Sequence, residues 1–380
     1  MNVVKYPGGK ERELDVIHAY LPQQINNYYE PFVGGGSVYL SMQAQHYYIN
    51  DFSVDLMTLY QCVASGDRAF FDSMTMINNL WKAIGLYVVN DTCLFTLYVS
   101  YRDSVIDEAH LKAEIASYVQ TYMQTLIGFV VPLGCGHTDV FLSHLTDDCL
   151  KKFIRMKELN FTKKVISDED IRANILGIFK ASFYMYIRFL YNHMDGYSDG
   201  LKAMLYLFIR DFCYSSMFRF NANGEFNVPY GGISYNNKNY DKVFEKYKSD
   251  EMLDHMHHTT FGCMDYKEFL KQYVPKTGDF MFVDPPYDSS FSTYDQNVFD
   301  AEAQRQLAHY LLNECQCNFM LDIKATDFIR DLYRYDYLCA NGQTLRIIEF
   351  DKRYSVSFMN RNDQSVEHLV IMNYGIGGLD

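Results

Sequence analysis

The sequence has no uninterrupted run of about eighteen apolar residues, the length that a helix needs to cross a bilayer. No early segment has the charged, apolar and small-residue order of a signal peptide. Its nine cysteines are odd in number and lack the paired spacing of a disulfide framework. These absences predict a cytosolic protein with reduced thiols and no membrane partner.

The spacing of a metal site is also lacking. Cys315 and Cys317 lie where a predicted helix runs into a predicted strand, and the histidines within residues 255–258, with Cys263, have no accompanying Cys-x-x-Cys pair. Buried thiols and a surface histidine cluster account for these residues better than metal ligands do. The sequence therefore predicts no metal.

Positive charge is scarce, with 34 Lys and Arg against 47 Asp and Glu and a formal net charge of −13. Phosphate binding needs a positive face, so this balance argues mildly against a nucleic-acid partner without excluding one. A local basic strip is enough for an enzyme that acts on DNA. With 380 residues, 48% of them hydrophobic, the chain can form one large or two modest globular domains.

The tetrapeptide Asp284-Pro285-Pro286-Tyr287 follows an apolar run at residues 279–283 that predicts a short buried strand. The first proline prevents the strand from continuing, so the tetrapeptide lies at a carboxyl end, where open α/β sheets bind ligands. The Asp284 carboxylate and the Pro285 carbonyl offer two acceptors, and Tyr287 offers a ring. This set suits a planar aromatic amine. A rigid strand-to-loop turn with a capping aspartate is the alternative.

A strand, a glycine turn and a helix over residues 38–44 are predicted near the start of the chain, the order of the first βα unit of a doubly wound sheet. Gly34 and Gly36 admit a cofactor at the helix N-terminus. After a second predicted strand, about twenty residues from the glycines, Asp51 can accept hydrogen bonds from ribose hydroxyls or cap the next helix. Tyr39 stands where a dinucleotide-binding Gly-x-Gly-x-x-Gly motif needs glycine, which disfavours an oxidoreductase.

Helical periodicity dominates from about residue 55 to residue 214 and predicts helices with an aromatic core and no chemistry. Two stripes carry this prediction, Leu111, Ile115, Val119 and Met123, and Ile171, Ile175, Ile178, Phe179 and Phe183. After them, Asn223-Gly224 between short alternating segments predicts a β-hairpin over residues 218–231. A hairpin that is based on Arg219 and tipped with amides can contact phosphates and base edges, although a surface hairpin without a partner is the alternative.

Four segments in this order resemble the motifs of the Dam-like, S-adenosylmethionine-dependent adenine-N6 DNA methyltransferases, the D12 class of the alpha group. They are Lys-Tyr-Pro-Gly-Gly-Lys at residues 5–10, Glu-Pro-Phe-Val-Gly-Gly-Gly at 30–36, the hairpin at 218–231 and Asp-Pro-Pro-Tyr at 284–287. The resemblance covers roughly the first 55 residues and everything after about residue 215. Two departures are Tyr6, where the family usually has tryptophan, and the longer interval between the second and third segments.

The resemblance implies S-adenosyl-L-methionine as cofactor, S-adenosyl-L-homocysteine as product and double-stranded DNA as partner. The implied cofactor-binding residues are Tyr6, Lys10, Glu30, Phe32, Gly34, Gly36, Asp51, Asp265 and Asp284. The implied catalytic residues are Asp284, Pro285, Pro286 and Tyr287. The implied DNA-binding residues are Arg219, Asn221, Asn223, Asn227, Pro229 and Tyr230.

We therefore predict an α/β fold with a doubly wound, Rossmann-like methyltransferase sheet from residues 1–54 and 258–380. An enlarged, mainly helical target-recognition domain of residues 55–257, which carries the β-hairpin, interrupts it. A flap over the site is expected at residues 291–294. The expected location is the cytoplasm of a bacterial or phage-infected cell.

The expected reaction is site-specific methyl transfer to the N6 amine of a flipped adenine. The alternatives are methylation of RNA or of a protein amide, and a catalytically silent DNA-binding protein of the same fold. Protein glutamine enzymes begin the tetrapeptide with Asn, so Asp284 and the hairpin favour DNA. The recognised base sequence, a partner nuclease and the choice between a monomer and a weak dimer stay open.

Overall fold

The structure, a computed structural model, describes residues 2–6, 8–162, 166–286, 299–353 and 365–375. Tyr287 and the flap predicted at residues 291–294 lie outside these described residues.

The strands of the described residues form a sheet in the order β3-β2-β1-β4-β5-β7-β6. They are β1 (Asn27–Glu30), β2 (His46–Asn50), β3 (Thr259–Gly262), β4 (Phe280–Val283), β5 (Asn318–Lys324), β6 (Arg346–Arg353) and β7 (Ser365–Met372). The five strands from β3 to β5 in this order are parallel to their neighbours, whereas β7 is antiparallel to both β5 and β6. This mostly parallel sheet confirms the predicted fold class.

The described residues also form α-helices and five short 3-10 helices. The α-helices are α1 (Leu14–Ala19), α2 (Val54–Ala64), α3 (Arg68–Asn90), α4 (Cys93–Arg102), α5 (Glu108–Thr121), α6 (Met123–Ile127), α7 (Thr138–Thr162), α8 (Asp168–Asn192), α9 (Asp199–Phe212), α10 (Asp241–Tyr247), α11 (Asp250–His257), α12 (Tyr266–Gln272), α13 (Ala301–Asn313) and α14 (Asp327–Leu332). The 3-10 helices are Lys10–Arg12, Tyr39–Ser41, Val131–Leu133, Tyr214–Ser216 and Ile233–Tyr235.

The chain packs into two compact units. The sheet unit comprises Met1–Ala64 and Asp250–Asp380, and the helical unit comprises Ser65–Ser249. Helices α2 and α11 thus belong with the sheet, although the sequence grouped residues 55–257 together. The assignment of the helical unit to target recognition stays a prediction.

The order of the strands creates a switch point in the sheet unit. Strands β2 and β3 follow β1 on one side of the sheet, and β4 and β5 lie in sequence on its other side. All four residues of β4 are buried, because a parallel sheet is covered on both faces and its strands are continuous apolar runs. The carboxyl ends of β1 and β4 are therefore neighbours at the position where open α/β sheets bind ligands.

Helix α13 packs on the sheet through apolar side chains. Asp300 caps it, since its Oδ1 accepts a hydrogen bond from the Ala303 amide at 2.9 Å. Leu307 and Leu311 are fully buried in a cluster that includes Val283 and other apolar side chains of β4 and β5. The cap and the apolar stripe together fix the position of this helix behind the end of β4.

The helical unit has the aromatic core that the sequence predicted. Leu111, Ile115 and Val119 are buried on α5, and the stripe from Ile171 to Phe183 is buried on α8. Trp81 of α3 lies with its ring centroid 4.7 Å from that of Phe212 on α9. Met123 does not continue the α5 stripe, because α5 ends at Thr121 and Met123 begins α6.

The α-helix predicted at residues 38–44 is absent, and this prediction was wrong. Only Tyr39–Ser41 is helical, as a single 3-10 turn, and Met42 returns to an extended conformation with φ −85° and ψ 155°. The Ser41 hydroxyl donates to the Val38 carbonyl at 2.7 Å, a local bond that competes with helix propagation. The glycines consequently do not precede an α-helix, and the helix-terminus argument for cofactor binding does not apply.

The hairpin predicted at residues 218–231 is present in a compact form. An antiparallel bridge joins Phe220 to Phe226, and the Gly224 amide donates to the Asn221 carbonyl at 3.0 Å. Gly224 has φ +78°, a left-handed conformation that glycine adopts without steric cost. The Asn-Gly pair therefore marked the turn correctly, although the flanking strands are reduced to isolated bridges.

Candidate active site

The Asp284 carboxylate lies directly after β4, beside the glycine loop that follows β1. The register pairs Tyr28 of β1 with Phe280 of β4, so both strands deliver their following residues to one edge of the sheet. Asp284 is partly exposed, with 21% of its side chain accessible. Pro285 is buried and Pro286 is exposed. A partly exposed acceptor at this edge is available to a ligand.

Lys10 binds this aspartate. Its Nζ donates to Asp284 Oδ1 at 2.7 Å, and only 2% of the lysine side chain is exposed. The two residues are 274 positions apart, and the short 3-10 turn Lys10–Arg12 delivers the lysine. The sequence assigned Lys10 to the cofactor, whereas the structure places it on the candidate catalytic carboxylate. A buried cation at this distance favours the ionised form of a carboxyl group.

Two further buried side chains continue from Lys10. Its Nζ lies 3.6 Å from Oδ2 of Asp322 on β5, and Asp322 Oδ1 lies 3.1 Å from Nδ1 of His368 on β7. Both the aspartate and the histidine side chains are fully buried. Sequence reasoning missed this pair. The signal was a charged residue inside the apolar run of β5, since an aspartate is rarely buried without a partner.

The glycine loop requires glycine at both predicted positions. Gly34 has φ +48° and Gly36 has φ +73°, and a Cβ on Gly36 would lie 2.3 Å from the hydroxyl of Tyr60. Tyr60 is fully buried on α2, and its hydroxyl donates to the Gly34 carbonyl at 3.0 Å. The sequence did not identify Tyr60, which fixes the loop from behind.

Asp51 and Tyr6 also pack on this loop. Asp51 Oδ2 accepts from the Gly34 amide at 3.0 Å, and its Oδ1 accepts from the Ser53 amide at 3.0 Å. Asp51 therefore fixes the loop and the residue that precedes α2, and its contact with ribose hydroxyls stays a prediction. A Cβ on Gly34 would lie 3.1 Å from Cδ1 of the Tyr6 ring, so this ring lies against the loop backbone.

Glu30, at the end of β1, is buried with 3% of its surface exposed. The Tyr28 hydroxyl donates to its Oε2 at 2.6 Å. Burial raises the pKa of Glu30 well above its usual value against the lowering effect of that hydrogen bond, and the Asp284 carboxylate raises it further. Glu30 is thus close enough to Asp284 to sense its charge.

Phe32 and Asp265 complete the set predicted for the cofactor. The Phe32 ring packs at 5.2 Å from Tyr266 and 5.6 Å from Phe299, centroid to centroid. Asp265 is the N-cap of α12, because its Oδ1 accepts from the Lys267 amide at 2.9 Å. The structure therefore gives both residues a packing or capping contact, and their contact with a cofactor stays a prediction.

Gln304 supports the backbone of the tetrapeptide. It lies fully buried on α13, and its Nε2 donates to the Pro286 carbonyl at 3.1 Å. Among the residues that the structure describes, its Oε1 meets no donor. Sequence reasoning missed Gln304, although a glutamine on the buried face of an amphipathic helix was a signal. The contact fixes one carbonyl of the tetrapeptide without using a charged group.

In the helical unit, the polar side chains of the hairpin bind one another. Arg219 is exposed, and its Nε donates to Asn227 Oδ1 at 2.9 Å. Asn221 Oδ1 accepts from the amides of Asn223 and Glu225, at 2.9 Å and 3.0 Å. These bonds hold the guanidinium and the turn in one conformation before any ligand arrives.

Pro229 and Tyr230, the last residues predicted to bind DNA, differ in exposure. Pro229 is exposed, and its carbonyl accepts from the Tyr214 amide at 2.8 Å. The Tyr230 hydroxyl donates to Asn236 Oδ1 at 3.0 Å, and its ring lies 6.0 Å from that of Trp81. Tyr230 is therefore tied into the aromatic core, and Pro229 is the more accessible of the two.

The part of the chain that the structure describes has no group of three His, Cys, Asp or Glu side chains arranged to hold a metal ion. Within the same residues, no single helix is long and apolar enough to cross a membrane, and one bent pair, Arg68–Asn90 with Cys93–Arg102, passes that test of length and composition together. The absence of a metal stays a prediction.

The family model for the D12 class of N6 adenine-specific DNA methyltransferases matches residues 6–123 and 140–356. This match confirms the family that the four motifs predicted. It also covers most of the helical unit, so the expectation that the resemblance stops near residue 55 and resumes near residue 215 was too narrow. Periodic apolar stripes carry little sequence identity, which explains why motif reading missed this part.

Named relatives agree with the family match. The chain is 25% identical over 236 residues to the Type II methyltransferase M.CviBI of Paramecium bursaria Chlorella virus NC1A, covering 56% of this chain and 82% of the relative. It is 30% identical over 183 residues to the Retron Ec67 DNA adenine methylase of Escherichia coli, covering 46% and 61%. It is 24% identical over 389 residues to the Type II methyltransferase M.MjaIII of Methanocaldococcus jannaschii, covering 98% of each.

Proposed function

We propose that this chain, which belongs to the D12 class of N6 adenine-specific DNA methyltransferases, uses S-adenosyl-L-methionine to methylate an adenine flipped out of double-stranded DNA. S-adenosyl-L-homocysteine is the expected product. The observation that carries the proposal is the Asp284 carboxylate at the switch point, held by Lys10 at 2.7 Å. Relatives named DNA adenine methylase and Type II methyltransferase support DNA as the substrate.

The glycine loop fits an adenosyl cofactor. Its backbone is bare at Gly34 and Gly36, both in the left-handed region, and Tyr60 and Asp51 fix it from the protein side. A rigid, backbone-lined loop at the carboxyl edge of a parallel sheet permits close approach of a ligand. Asp51, Tyr6 and Phe32 are the side chains that we assign to the cofactor here. When bound, the cofactor supplies an electrophilic methyl group on a sulfonium.

Asp284 and the Pro285 carbonyl make the adenine amine nucleophilic. The N6 lone pair is conjugated into the ring, so the free amine is a poor nucleophile. Two acceptors for its N–H groups localise that lone pair by pulling the nitrogen toward tetrahedral geometry. Lys10 keeps the carboxylate ionised and fixed, and Gln304 fixes the adjoining Pro286 carbonyl. Catalysis is then mainly orientation and preorganised electrostatics.

Base flipping costs about a few kcal/mol, which a stacking side chain can partly offset. Tyr287, which the sequence assigns to this task, lies outside the described residues. The hairpin of the helical unit is the candidate DNA contact, with the exposed Arg219 beside Asn227 as its phosphate-binding group.

The test of this function is transfer of labelled methyl from S-adenosyl-L-methionine to genomic DNA from a strain without adenine methylation. Asp284→Ala removes one of the two acceptors, so the single-turnover rate should fall by at least about 100-fold. DNA affinity should change far less, because phosphate contacts supply most of it.

The matched control is Asp279→Ala, which removes a buried carboxylate at the other end of β4. Asp279 directly precedes β4, at the amino end of the strand, and accepts from the Asn27 side chain at 2.9 Å. It should lower stability without a comparable loss of single-turnover rate. If wild type methylates no adenine, a DNA-binding protein without activity becomes the better description. If wild type is active and Asp284→Ala matches it, the catalytic role of Asp284 is wrong.

A further inference from the structure

We propose that Asp322 and His368 are positioning residues that set the charge on the candidate catalytic carboxylate through Lys10. This inference rests on the proposed function, because it concerns how Asp284 is held ionised and oriented. The four side chains form a continuous series, Asp284, Lys10, Asp322 and His368, from a partly exposed end to a fully buried end.

Lys10 lies at different distances from the two carboxylates that it contacts. Its Nζ donates to Asp284 at 2.7 Å and makes a longer ion-pair contact of 3.6 Å with Asp322. The shorter contact belongs to the aspartate that remains accessible to a ligand. Because Lys10 and Asp322 are almost completely excluded from solvent, their mutual attraction is only weakly screened. Any change at Asp322 is therefore felt at Asp284.

The hydrogen bond from His368 weakens the attraction of Asp322 for Lys10. As long as Asp322 is ionised, the histidine Nδ1–H donates to its Oδ1 at 3.1 Å and stabilises part of the negative charge. This bond spans two neighbouring strands, since β5 and β7 pair with Asp322 opposite Val370. A buried ion pair is stable only when its remaining lone pairs are satisfied, and His368 satisfies one of them.

The titratable groups linked to Asp284, directly or through Lys10, come from several elements. Lys10 lies on the 3-10 turn, Glu30 on β1, Asp322 on β5 and His368 on β7. Glu30 senses Asp284 electrostatically, and its own burial favours the neutral form. Lys10 is thus the cation shared by Asp284 and Asp322, and the balance between these two carboxylates decides how strongly Lys10 acts on the reacting end.

Asp322→Asn and His368→Leu should therefore shift the acid midpoint of the pH–rate profile in opposite directions. In Asp322→Asn the carboxylate that competes with Asp284 for the Lys10 ammonium is lost, so the acid midpoint of the single-turnover rate should move to lower pH by about half a unit or more. The plateau rate should fall by about tenfold, because a more tightly held carboxylate is a weaker acceptor for the amine. Substrates are the labelled cofactor and the unmethylated genomic DNA used above, both at saturation.

In His368→Leu the donor to Asp322 is lost, Asp322 attracts Lys10 more strongly, and the acid midpoint should move to higher pH. His368→Asn keeps an N–H donor close to the position of Nδ1 and should restore the midpoint to that of wild type. Asp279→Asn, a buried carboxyl variant outside the series, should leave the midpoint unchanged even if it lowers stability.

The outcomes separate this inference from the proposed function. If Asp284→Ala keeps the wild-type rate, the proposed role of Asp284 fails. If Asp284→Ala is inactive as expected, but Asp322→Asn and His368→Leu keep the wild-type midpoint or shift it in the same direction, only the positioning role is overturned. A loss of rate in Asp322→Asn with an unchanged midpoint counts against the inference, because a purely structural defect produces that result.

Discussion

The two units of the molecule bury lysine in opposite ways. In the sheet unit, Lys10 is 3% exposed and contacts two carboxylates, those of Asp284 and Asp322. In the helical unit, Lys180 of α8 is 2% exposed, donates to the Trp81 carbonyl and lies 3.9 Å from the centroid of the Trp81 ring. Among the described residues, no carboxylate forms an ion pair with Lys180.

The protonation of Lys180 reflects that difference. Burial lowers the pKa of Lys180 to about 7, because desolvation of the ammonium is not offset by an anion. At Lys10, two carboxylates face the ammonium, and one of them is the partly exposed Asp284. A buried lysine thus indicates a catalytic role when the carboxylate that it contacts is partly exposed at a ligand-binding edge. A buried lysine that contacts a backbone carbonyl and an aromatic ring indicates a role in packing.

The largest expected effect follows from replacing each lysine by methionine. Lys10→Met removes the ammonium group that contacts both Asp284 and Asp322, so methyl transfer should fall by about 100-fold in single turnover. Lys180→Met, the matched buried control, should keep the wild-type rate, because no step of the proposed reaction uses it. Rates are measured with labelled cofactor at saturating DNA.

Misfolding of Lys10→Met would also abolish activity, so a second variant is needed. Lys10→Met combined with Asp322→Asn also removes one of the two carboxylates that Lys10 contacts, and it should recover stability but not the rate. Equal rate losses for Lys10→Met and Lys180→Met would show that burial, rather than the contact with Asp284, makes these lysines important.

A smaller effect is expected at the hairpin. Arg219→Ala should weaken DNA binding by about tenfold and reduce the slope of log affinity against log salt by about one unit, since one phosphate contact is lost. Arg155→Ala is the control, because Arg155 lies exposed on α7 and pairs with Glu158 at 3.0 Å. Binding is followed by fluorescence anisotropy on labelled duplex over a range of salt concentrations. Similar losses in both variants would indicate a diffuse charge effect and no specific hairpin contact.

Local pattern was sufficient for most of the fold. The apolar run before Asp284 predicted β4, the stripe from Ile171 to Phe183 predicted the buried face of α8, and Asn223-Gly224 predicted the hairpin turn. The pattern failed at residues 38–44, where apolar residues at helical spacing form only one 3-10 turn. There a side-chain bond from Ser41 and the approaching strand β2 outweigh local propensity.

The candidate site was only half predictable. Asp284, Lys10, Gly34 and Gly36 stand in recognisable motifs, Asp51 follows a predicted strand, and the structure brings them to one edge of one sheet. The contacts that hold them were not visible, because Lys10 meets Asp284 across 274 positions and Asp322 meets His368 across 46. Pairs of this kind depend on strand order and register, which no local pattern specifies. Gln304 was missed although its position on the buried face of α13 was a local signal.

The last expected effect concerns stability, and its dependence on pH, in the helical unit. The folded-state pKa of Lys180 is about 7, whereas an unfolded lysine titrates near 10.4. Between these values the unfolded chain binds a proton that the folded chain does not, so the stability of wild type rises as pH increases from about 7 toward 10. Below pH 7 both states are charged, and the full cost of burying the ammonium is present.

Lys180→Met removes this titration. The variant should therefore melt at a higher temperature than wild type at pH 6, and its advantage should shrink steadily as pH rises to 9.5, where wild type no longer buries a charge. Lys151→Met, at an exposed position of α7 with 75% of its side chain accessible, should show a constant difference from wild type over the same range. The measurement is the melting temperature at half-unit intervals of pH. A stability difference for Lys180→Met that stays constant with pH would mean that Lys180 is protonated to the same degree in both states, and the contrast with Lys10 would then lie in geometry alone.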